Sequence, residues 1–420
     1  MIISKKLLLP LGLLLAGRAV AQQQLTLNWD EARRLAIEHN PSVKAAHASM
    51  EQAGYNYLAG LNSYMPQVSL SHGFSRGGGD DSSPASRWSA SISASEDLLN
   101  LKTVSSVKSS RIAKEKAEAD YLSASASARQ ALAASFAELL FAQKRVEVQK
   151  KILNIRVENA KLIRLKYEGG MESRGNALYT EALAENSGVS VKKAERQLAA
   201  AQRTLLESIG LEENMPVKAS GDISVPVFTL DETRVIRALE RSPLIVSAGK
   251  TLESAQERVN SARYYAYPIL RASQGYSWSG GREFPQDKSW SLGLSLSVPI
   301  FSGGPTYYFN NLSAYKKALT AAEENFKAGR ISLAASLRSG YDDYLSAAET
   351  AFAGVSLLKA NEERFKEAWI KYMAGKISFI DLETVEQNFV DSDLNQLDYA
   401  RAAHSRKLAL ELLLGVGVEE

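Results

Sequence analysis

The clearest structural pattern in this chain is Trp290-Ser-Leu-Gly-Leu-Ser-Leu-Ser-Val-Pro-Ile-Phe-Ser-Gly-Gly304. From Trp290 to Val298, large apolar residues alternate strictly with Ser or Gly. An alternation with a period of two predicts a β-strand with one apolar face. The other face carries only very small residues, as is typical of a strand that lines a crowded or water-filled interior. About ten residues, when tilted, is the length of a membrane-spanning β-strand.

A second copy of this pattern lies 202 residues earlier, at Trp88-Ser-Ala-Ser-Ile-Ser-Ala-Ser95. The same spacing separates Pro41 from Pro243. Further along, Tyr167-Glu-Gly-Gly170 resembles Tyr372-Met-Ala-Gly375 at a spacing of 205 residues. Recurrence at a nearly fixed spacing indicates that one structural unit of about 200 residues is present twice.

Each repeat is predicted to contain short helices, a β-hairpin, a long helix and a return helix. The first repeat is residues 22–210, with its hairpin at about 66–97, long helix at about 102–167 and return helix at about 173–209. The second is residues 230–420, with its hairpin at about 268–298, long helix at about 306–372 and return helix at about 378–414. The linker at 211–229 and residues 416–420 are expected to form a collar with the short helices at 30–39 and 231–241. Each long helix would be about 100 Å long.

Residues 1–21 are typical of a secretory signal peptide, with two lysines, an apolar run and an Ala-x-Ala cleavage site at Ala19-Val-Ala21. A membrane anchor is the alternative, but about ten apolar residues are too few to span a bilayer. The whole chain has a formal charge of +3, and residues 1–21 contain three cations and no acid. The balanced remainder gives no electrostatic case for nucleic-acid binding. The chain has no cysteines, which excludes disulfides and Cys-zinc sites.

The two predicted hairpins have polar loops at about 76–87 and 279–288. Trp88, Trp278 and Trp290 lie at the loop-side ends of their strands. Aromatic residues form girdles at the two interfaces of membrane barrels, so we expect these three side chains to face the membrane. The alternative is a pair of ordinary hairpins with aromatic ends.

Two hairpins supply four strands, whereas the smallest common membrane barrel needs eight. Four strands alone in lipid would leave two edges of unpaired backbone groups, each group costing several kcal/mol. The barrel is therefore expected to be shared between copies of the chain. A dimer would give eight strands, and a trimer twelve with room for a pore. The small residues of the inner face favour the trimer.

Taken in order, these motifs resemble the TolC family of bacterial outer-membrane efflux proteins over essentially the whole mature chain. The matching pieces are Leu25-Thr-Leu27, Glu31-Ala32, Asn40-Pro41, the two Tyr-x-x-Gly turns, Val298-Pro-Ile-Phe-Ser-Gly-Gly304 and Leu413-Leu-Gly415. The resemblance implies an α+β membrane protein: a trimeric 12-stranded outer-membrane β-barrel, continuous with a long periplasmic α-helical barrel.

The resemblance also implies a function. Such a protein is the exit duct of a tripartite efflux or type I secretion system. It passively conducts substrates from an inner-membrane pump and a periplasmic adaptor (membrane fusion) protein to the outside. The implied partners are two further copies of the chain, the adaptor, the pump and outer-membrane lipid.

Two sets of residues acquire roles through the resemblance. Adaptor docking is assigned to the helix turns, here Gly170, Met171, Glu172, Ser173, Gly375, Lys376, Ile377 and Ser378. The gate at the periplasmic end is assigned to Tyr372 and Asp381. Where some members have a second acid one helical turn later, this chain has Thr384, with Glu383 and Glu386 nearby, so a narrow acidic ring is only partly supported. An exposed helix Asp is the alternative reading of Asp381. A ring of carboxylates would favour cations.

Enzyme chemistry has little support. The four histidines, His39, His47, His72 and His404, are scattered and form no His-Glu-x-x-His motif. No catalytic residue, metal site or cofactor is predicted. Two other classes stay open: a periplasmic coiled-coil scaffold or adaptor, which the alternating strands argue against, and a diffusion porin, which the dominance of helix argues against.

One departure from the repeat concerns the passage from strand to helix. Where the second half has Val298–Gly304, the first has Glu96-Asp-Leu-Leu-Asn-Leu-Lys102. The bend-inducing proline is therefore present once, and the sequence does not indicate how the first passage is made.

Overall fold

The computed structural model describes residues 25–80, 82–211, 216–225, 229, 231–281, 287–300 and 303–417. The predicted signal peptide, part of the predicted linker and residues 282–286 of the second predicted loop lie outside these ranges. The helices and strands are β1 (Leu25–Leu27), α1 (Trp29–His39), α2 (Pro41–Leu61), β2 (Gln67–Gly79), β3 (Ser82–Leu99), α3 (Leu101–Glu168), α4 (Arg174–Ile209), β4 (Val217–Ala219), α5 (Glu232–Arg241), α6 (Pro243–Arg263), β5 (Ile269–Gly280), β6 (Asp287–Ser297), α7 (Tyr307–Met373) and α8 (Phe379–Leu414).

The four long strands form one antiparallel sheet in the order β2-β3-β5-β6. Its register places residues of the same parity opposite each other, such as Phe74 opposite Trp88 and Tyr276 opposite Trp290. Because side chains alternate along a strand, the apolar residues of all four strands share one face. The other face carries mostly Ser and Gly, and pairs of serine hydroxyls are hydrogen-bonded across the strands there, for example Ser71 and Ser91 at 2.7 Å.

The first hairpin is longer than the sequence predicts. β2 continues to Gly79 and β3 begins at Ser82, so the predicted loop at 76–87 is wrong. Arg76 pairs with Ser86 within the ladder. The hydrogen bonds between paired strands are made by the backbone, so polar residues can continue the pairing. The alternating apolar residues nearer the helices set the register, and the polar residues toward the hairpin loop follow it.

The helices form columns in which continuous and two-piece helices alternate. α3 and α7, with 68 and 67 residues, run the whole length. Next to the sheet the packing order is α2-α3-α6-α7, and at the far end it is α4-α3-α8-α7. Within the described part of the chain, no helix combines the length and the apolarity needed to cross a bilayer.

The two halves pass from strand to helix by different means. In the first half Asn100 caps α3, and its side chain accepts hydrogen bonds from the backbone N–H groups of Lys102 and Thr103. The Asn100 amide also donates to Asp97 at 2.8 Å, which ties the cap to the end of β3. In the second half Pro299 follows β6, and two left-handed glycines precede α7. A side-chain cap thus replaces the Pro-Gly bend in the first half.

The collar contains an element that the sequence does not predict. β1 pairs in parallel with β4, with Leu25 opposite Val217. This two-stranded ribbon covers a core that includes Leu27, Leu205 and Ile209. The collar therefore joins the start of the chain to the segment between the two halves.

Candidate functional site

The two helix turns lie at the end of the helical columns opposite the sheet, which we call the tip (residues 169–173 and 374–378). Just beyond the end of α3 lies Gly170 at φ 73°, and just beyond the end of α7 lies Gly375 at φ 69°. This left-handed conformation lets a backbone N–H of each turn donate to a carbonyl in the last turn of the preceding helix. The Met171 N–H donates to the Lys166 carbonyl and the Lys376 N–H to the Lys371 carbonyl, both at 2.8 Å. Only glycine adopts such a conformation without strain, which explains the two Tyr-x-x-Gly motifs.

All eight turn residues predicted for docking lie at this tip. Ser173 and Ser378 are the N-caps of α4 and α8, so their hydroxyls are used within the turns. Met171 is the most exposed apolar side chain of the two turns, at 73%. Ile377 is half-buried against a small apolar core shared by both helical hairpins. The members of this core are Ile163, Ala177, Ala368, Tyr372, Phe379 and Leu382.

The central contact of the tip joins Tyr372 to the first turn. The Tyr372 side chain is only 3% exposed, and its hydroxyl donates to Glu172 Oε1 at 2.8 Å. Glu172 also accepts from the Asn176 amide at 2.9 Å. Lys166 Nζ lies 3.8 Å from the centroid of the Tyr372 ring. The end of α7 is thereby tied to the turn between α3 and α4, across about 200 residues of sequence.

The electrostatics of this contact favour a carboxylate paired with a neutral phenol. Burial raises the pKa of Tyr372, and the hydrogen bond to the Glu172 carboxylate raises it further. Burial alone would raise the pKa of Glu172, but hydrogen bonds from Asn176 and Tyr372, with the nearby Lys166 charge, lower it below its ordinary value. Both shifts keep the hydrogen bond intact at neutral pH.

Asp381, the other residue predicted for the gate, has a different partner. It is exposed in the first turn of α8 and forms a capping box with Ser378. Its Oδ2 accepts from the Ser378 hydroxyl at 2.7 Å and from the Ser378 backbone N–H at 3.0 Å. These bonds lower the pKa of Asp381. Within one chain the structure therefore joins Tyr372 to Glu172, and Asp381 to its own helix start.

Three further contacts tie the two helical hairpins together, farther from the turns than Tyr372. Tyr179 on α4 donates to Glu383 Oε1 on α8 at 2.7 Å. Higher up, the buried Glu386 accepts from Asn159 and lies 3.6 Å from Arg156 Nε. Burial raises the pKa of Glu386, although Arg156 and Asn159 oppose this shift. The sequence places Glu383 and Glu386 near Asp381 but does not indicate their partners Tyr179, Asn159 and Arg156, because each contact joins residues more than 200 positions apart.

The three predicted membrane-facing tryptophans all lie on the apolar face of the sheet. Trp88 packs against Phe74, with ring centroids 4.7 Å apart. Trp278 packs against Tyr276 at 4.6 Å. Trp290 is 77% exposed in the single chain. The structure thus gathers aromatic rings from all four strands on one surface.

The sequence model of a known family, described as outer membrane efflux protein, matches residues 32–211 and 235–416. The chain belongs to the outer membrane efflux protein family. It is therefore an outer-membrane channel of efflux or secretion, with a large helical part in the periplasm. The family and location predicted from the sequence are confirmed.

Individual relatives are distant. The cobalt-zinc-cadmium resistance protein CzcC of Cupriavidus metallidurans is 22% identical over 283 residues, which cover 67% of this chain and 66% of that protein. Protein CyaE of Bordetella pertussis is 22% identical over 402 residues, which cover 90% of this chain and 82% of that protein.

Solved structures show the same fold. The outer-membrane channel OprN superimposes with a TM-score of 0.82 at 20% identity, over 93% of this chain and 90% of that one. The open state of the Neisseria gonorrhoeae MtrE outer membrane channel superimposes with a TM-score of 0.82 at 19% identity, over 92% of this chain and 88% of that one.

Proposed function

We propose that this chain is the exit duct of a tripartite export system, in which three copies close a 12-stranded barrel and a periplasmic helical barrel. The duct passively conducts substrates that an inner-membrane pump delivers through an adaptor. The relative CzcC, named for metal resistance, supports a duct that serves export. The cargo class stays open.

The observation that carries this proposal is the incomplete sheet. In the described residues β2 pairs only with β3, and β6 only with β5, so both outer edges lack a neighbouring strand. These edges are 13 and 11 residues long. Unpaired backbone groups in hydrocarbon cost several kcal/mol each, so a chain in lipid needs further strands at both edges. A closed ring of copies supplies them.

The two faces of the sheet fit this arrangement. The apolar face, with Trp290, Leu292 and Leu294 exposed, would meet lipid. The opposite face of serine and glycine would line the lumen. Copies would also meet along the helices, because α7 and the α2/α4 column are the outer columns of one chain. α7 carries exposed Ile331, Phe352 and Leu357, which a neighbouring copy would cover.

The oligomeric mass tests the proposal. The purified protein in detergent is expected to have three times the mass of one chain by light scattering, and to migrate on gels in a heat-modifiable way. In planar bilayers it is expected to form discrete channels. A monomer without channel activity would contradict the duct and would favour the periplasmic scaffold. Small-solute uptake that depends on the protein, with no export defect upon deletion, would favour the porin.

At the tip, the proposed roles follow the contacts. The Tyr372–Glu172 hydrogen bond holds the two hairpins of one chain together in a closed state, and opening separates them. Asp381, exposed in the first turn of α8, would meet its symmetry copies near the axis and favour cations. The exposed turns, with Met171 outermost, would receive the adaptor.

Adaptor docking is testable by site-specific photo-crosslinking in cells. A photoreactive residue in place of Met171 is expected to capture the adaptor, whereas one in place of Val189, an exposed apolar residue of α4 away from the turns, is not. Equal capture at both positions, or none at Met171, would exclude the turns as the docking site.

A further inference from the structure

The serine and glycine face of the sheet, here called the inner face, carries few charges. Over the middle of the four strands its described positions have none. Toward the hairpin loops the charged residues of this face are Arg87 and Asp287, which stand on either side of Ser279. Toward the helices they are Asp97 and Arg271. Each end of the inner face therefore carries one cation and one anion per chain.

The two charges at the helix-side end are joined in one ion pair. Asp97 on β3 and Arg271 on β5 stand directly opposite each other. Arg271 Nε donates to Asp97 Oδ1 at 2.6 Å, and the Asn100 amide donates to Asp97 Oδ2 at 2.8 Å. The Asp97 side chain is 16% exposed and that of Arg271 is 54% exposed. The carboxylate is thus held at the wall, and the more exposed guanidinium carries the charge that compensates it.

The pair is present once per chain. The positions 202 residues away are Ser69 for Arg271 and Pro299 for Asp97, and neither is charged. In the proposed ring of three copies, three pairs would stand at one level of the lumen, because symmetry places equivalent residues at equal heights along the axis. This level is where the barrel joins the helical part.

Compensation decides how this level acts on a passing ion. A ring of like charges in a channel attracts ions of the opposite sign and repels those of the same sign. Two opposite charges in hydrogen-bond contact act on a more distant ion as a dipole, whose effect falls off faster than that of a single charge. Three intact pairs therefore leave the lumen wall close to neutral, whereas three unpaired members would not.

We propose that the Asp97–Arg271 pair sets the charge preference of the barrel lumen, by keeping its helix-side end neutral to cargo of either sign. The inference rests on the proposed duct and specifies its selectivity. Without Arg271, three carboxylates would face the lumen and favour cations. Without Asp97, three guanidinium groups would favour anions. With both present, discrimination by charge is left to the tip.

The test places a single thiol beside the pair, since the chain has no native cysteine. Ser273→Cys lies on the inner face of β5, two residues or about 7 Å from Arg271. Two reagents of opposite charge modify it in the purified, assembled protein: 2-(trimethylammonium)ethyl and 2-sulfonatoethyl methanethiosulfonate. The ratio of the cationic to the anionic rate reports the local potential, because a change in the reactivity of the thiol itself affects both rates.

The single variants are expected to shift this ratio in opposite directions. In 0.1 M salt, Arg271→Gln should raise it about threefold and Asp97→Asn should lower it about threefold. The double variant should return to the ratio of Ser273→Cys alone. In 1 M salt, where charges are screened within about 3 Å, all four ratios should agree. A purely structural role would give neither the opposite signs nor the dependence on salt.

The control thiol is Ser277→Cys, on the same face of β5 but six residues, or about 20 Å, from Arg271. Charges are screened within about 10 Å in 0.1 M salt, so its ratio should be unchanged by all three variants. If protein of trimeric mass gives no opposite shifts at Ser273→Cys, or equal shifts at both thiols, the role of the pair is refuted and the duct stands. A thiol at position 273 that neither reagent modifies also refutes it. A monomeric mass refutes the duct and this role with it.

Discussion

At the sheet end, one chain leaves two strand edges without neighbours among its described residues and exposes a broad apolar face. At the tip, the same chain closes on itself, with Tyr372 buried against Glu172 and a shared apolar core around it. An end that one chain cannot complete has to be completed by assembly. An end that one chain completes with a few hydrogen bonds can be opened by breaking them. The proposed assembly and the proposed gate are thus separated by the length of the helices, about 100 Å.

The largest effect is expected at the sheet. Leu292 lies at the middle of β6 on the apolar face. Leu292→Arg would place a charge near the centre of the lipid-facing surface, at a cost of about 2–4 kcal/mol for each chain. We expect loss of the assembled species from outer-membrane fractions. Ser291→Arg, one residue away on the opposite face, is the control, and it should assemble as the unchanged protein does. If both variants assembled equally, the assignment of the two faces would be wrong.

A smaller effect is expected at the tip. Tyr372→Phe removes the hydrogen bond to Glu172 and keeps the ring in the apolar core. A hydrogen bond to a charged group contributes about 1.5–3 kcal/mol, so the open fraction should rise at least about tenfold. Single-channel recording in planar bilayers measures this fraction. Tyr55→Phe, at an exposed tyrosine of α2, is the control. An unchanged open fraction in Tyr372→Phe would exclude this bond as the closed-state contact.

Acid is expected to change the closed fraction of the channel less than Tyr372→Phe does. The folded pKa of Glu172 lies below its ordinary value of 4.5. Its carboxylate therefore stabilises the closed state fully above that value, and the contribution is lost as the pH falls through the lowered pKa. Closure of the unchanged protein should be constant from neutral pH to about pH 5 and weaken in stronger acid. Glu172→Gln should lack this step, and a step retained in this variant would assign it to another acid.

The smallest change is expected from Asp381→Ala. The variant loses one N-terminal capping interaction of α8, worth about 1 kcal/mol, and the carboxylate proposed near the axis. We expect reduced cation selectivity and reduced block by divalent cations in planar bilayers. Glu185→Ala, at an exposed acid of α4, is the control. Unchanged selectivity in Asp381→Ala would leave this residue a helix cap only.

The sequence predicts what depends on local pattern. The alternation after Trp290 indicates a strand and its apolar face, and the family and outer-membrane location are confirmed. Contacts between distant residues leave no local signal: Glu172 as the partner of Tyr372 and the pairing of β1 with β4 appear only in the structure. The cap at Asn100 could have been predicted, since Asn is a preferred cap residue and stands directly before the helix.

The most direct test of the account is a disulfide between the two outer strands. The chain has no native cysteine, so Ser71→Cys on β2 can be combined with Ser289→Cys, Ser291→Cys or Ser295→Cys on β6. Within one chain β2 and β6 are three strand spacings apart, about 14 Å, too far for a disulfide that needs Cα atoms within about 7 Å. If copies close the barrel edge to edge, at least one pair gives covalent dimers and trimers upon oxidation that disappear upon reduction. Monomers alone for all three pairs would contradict the account.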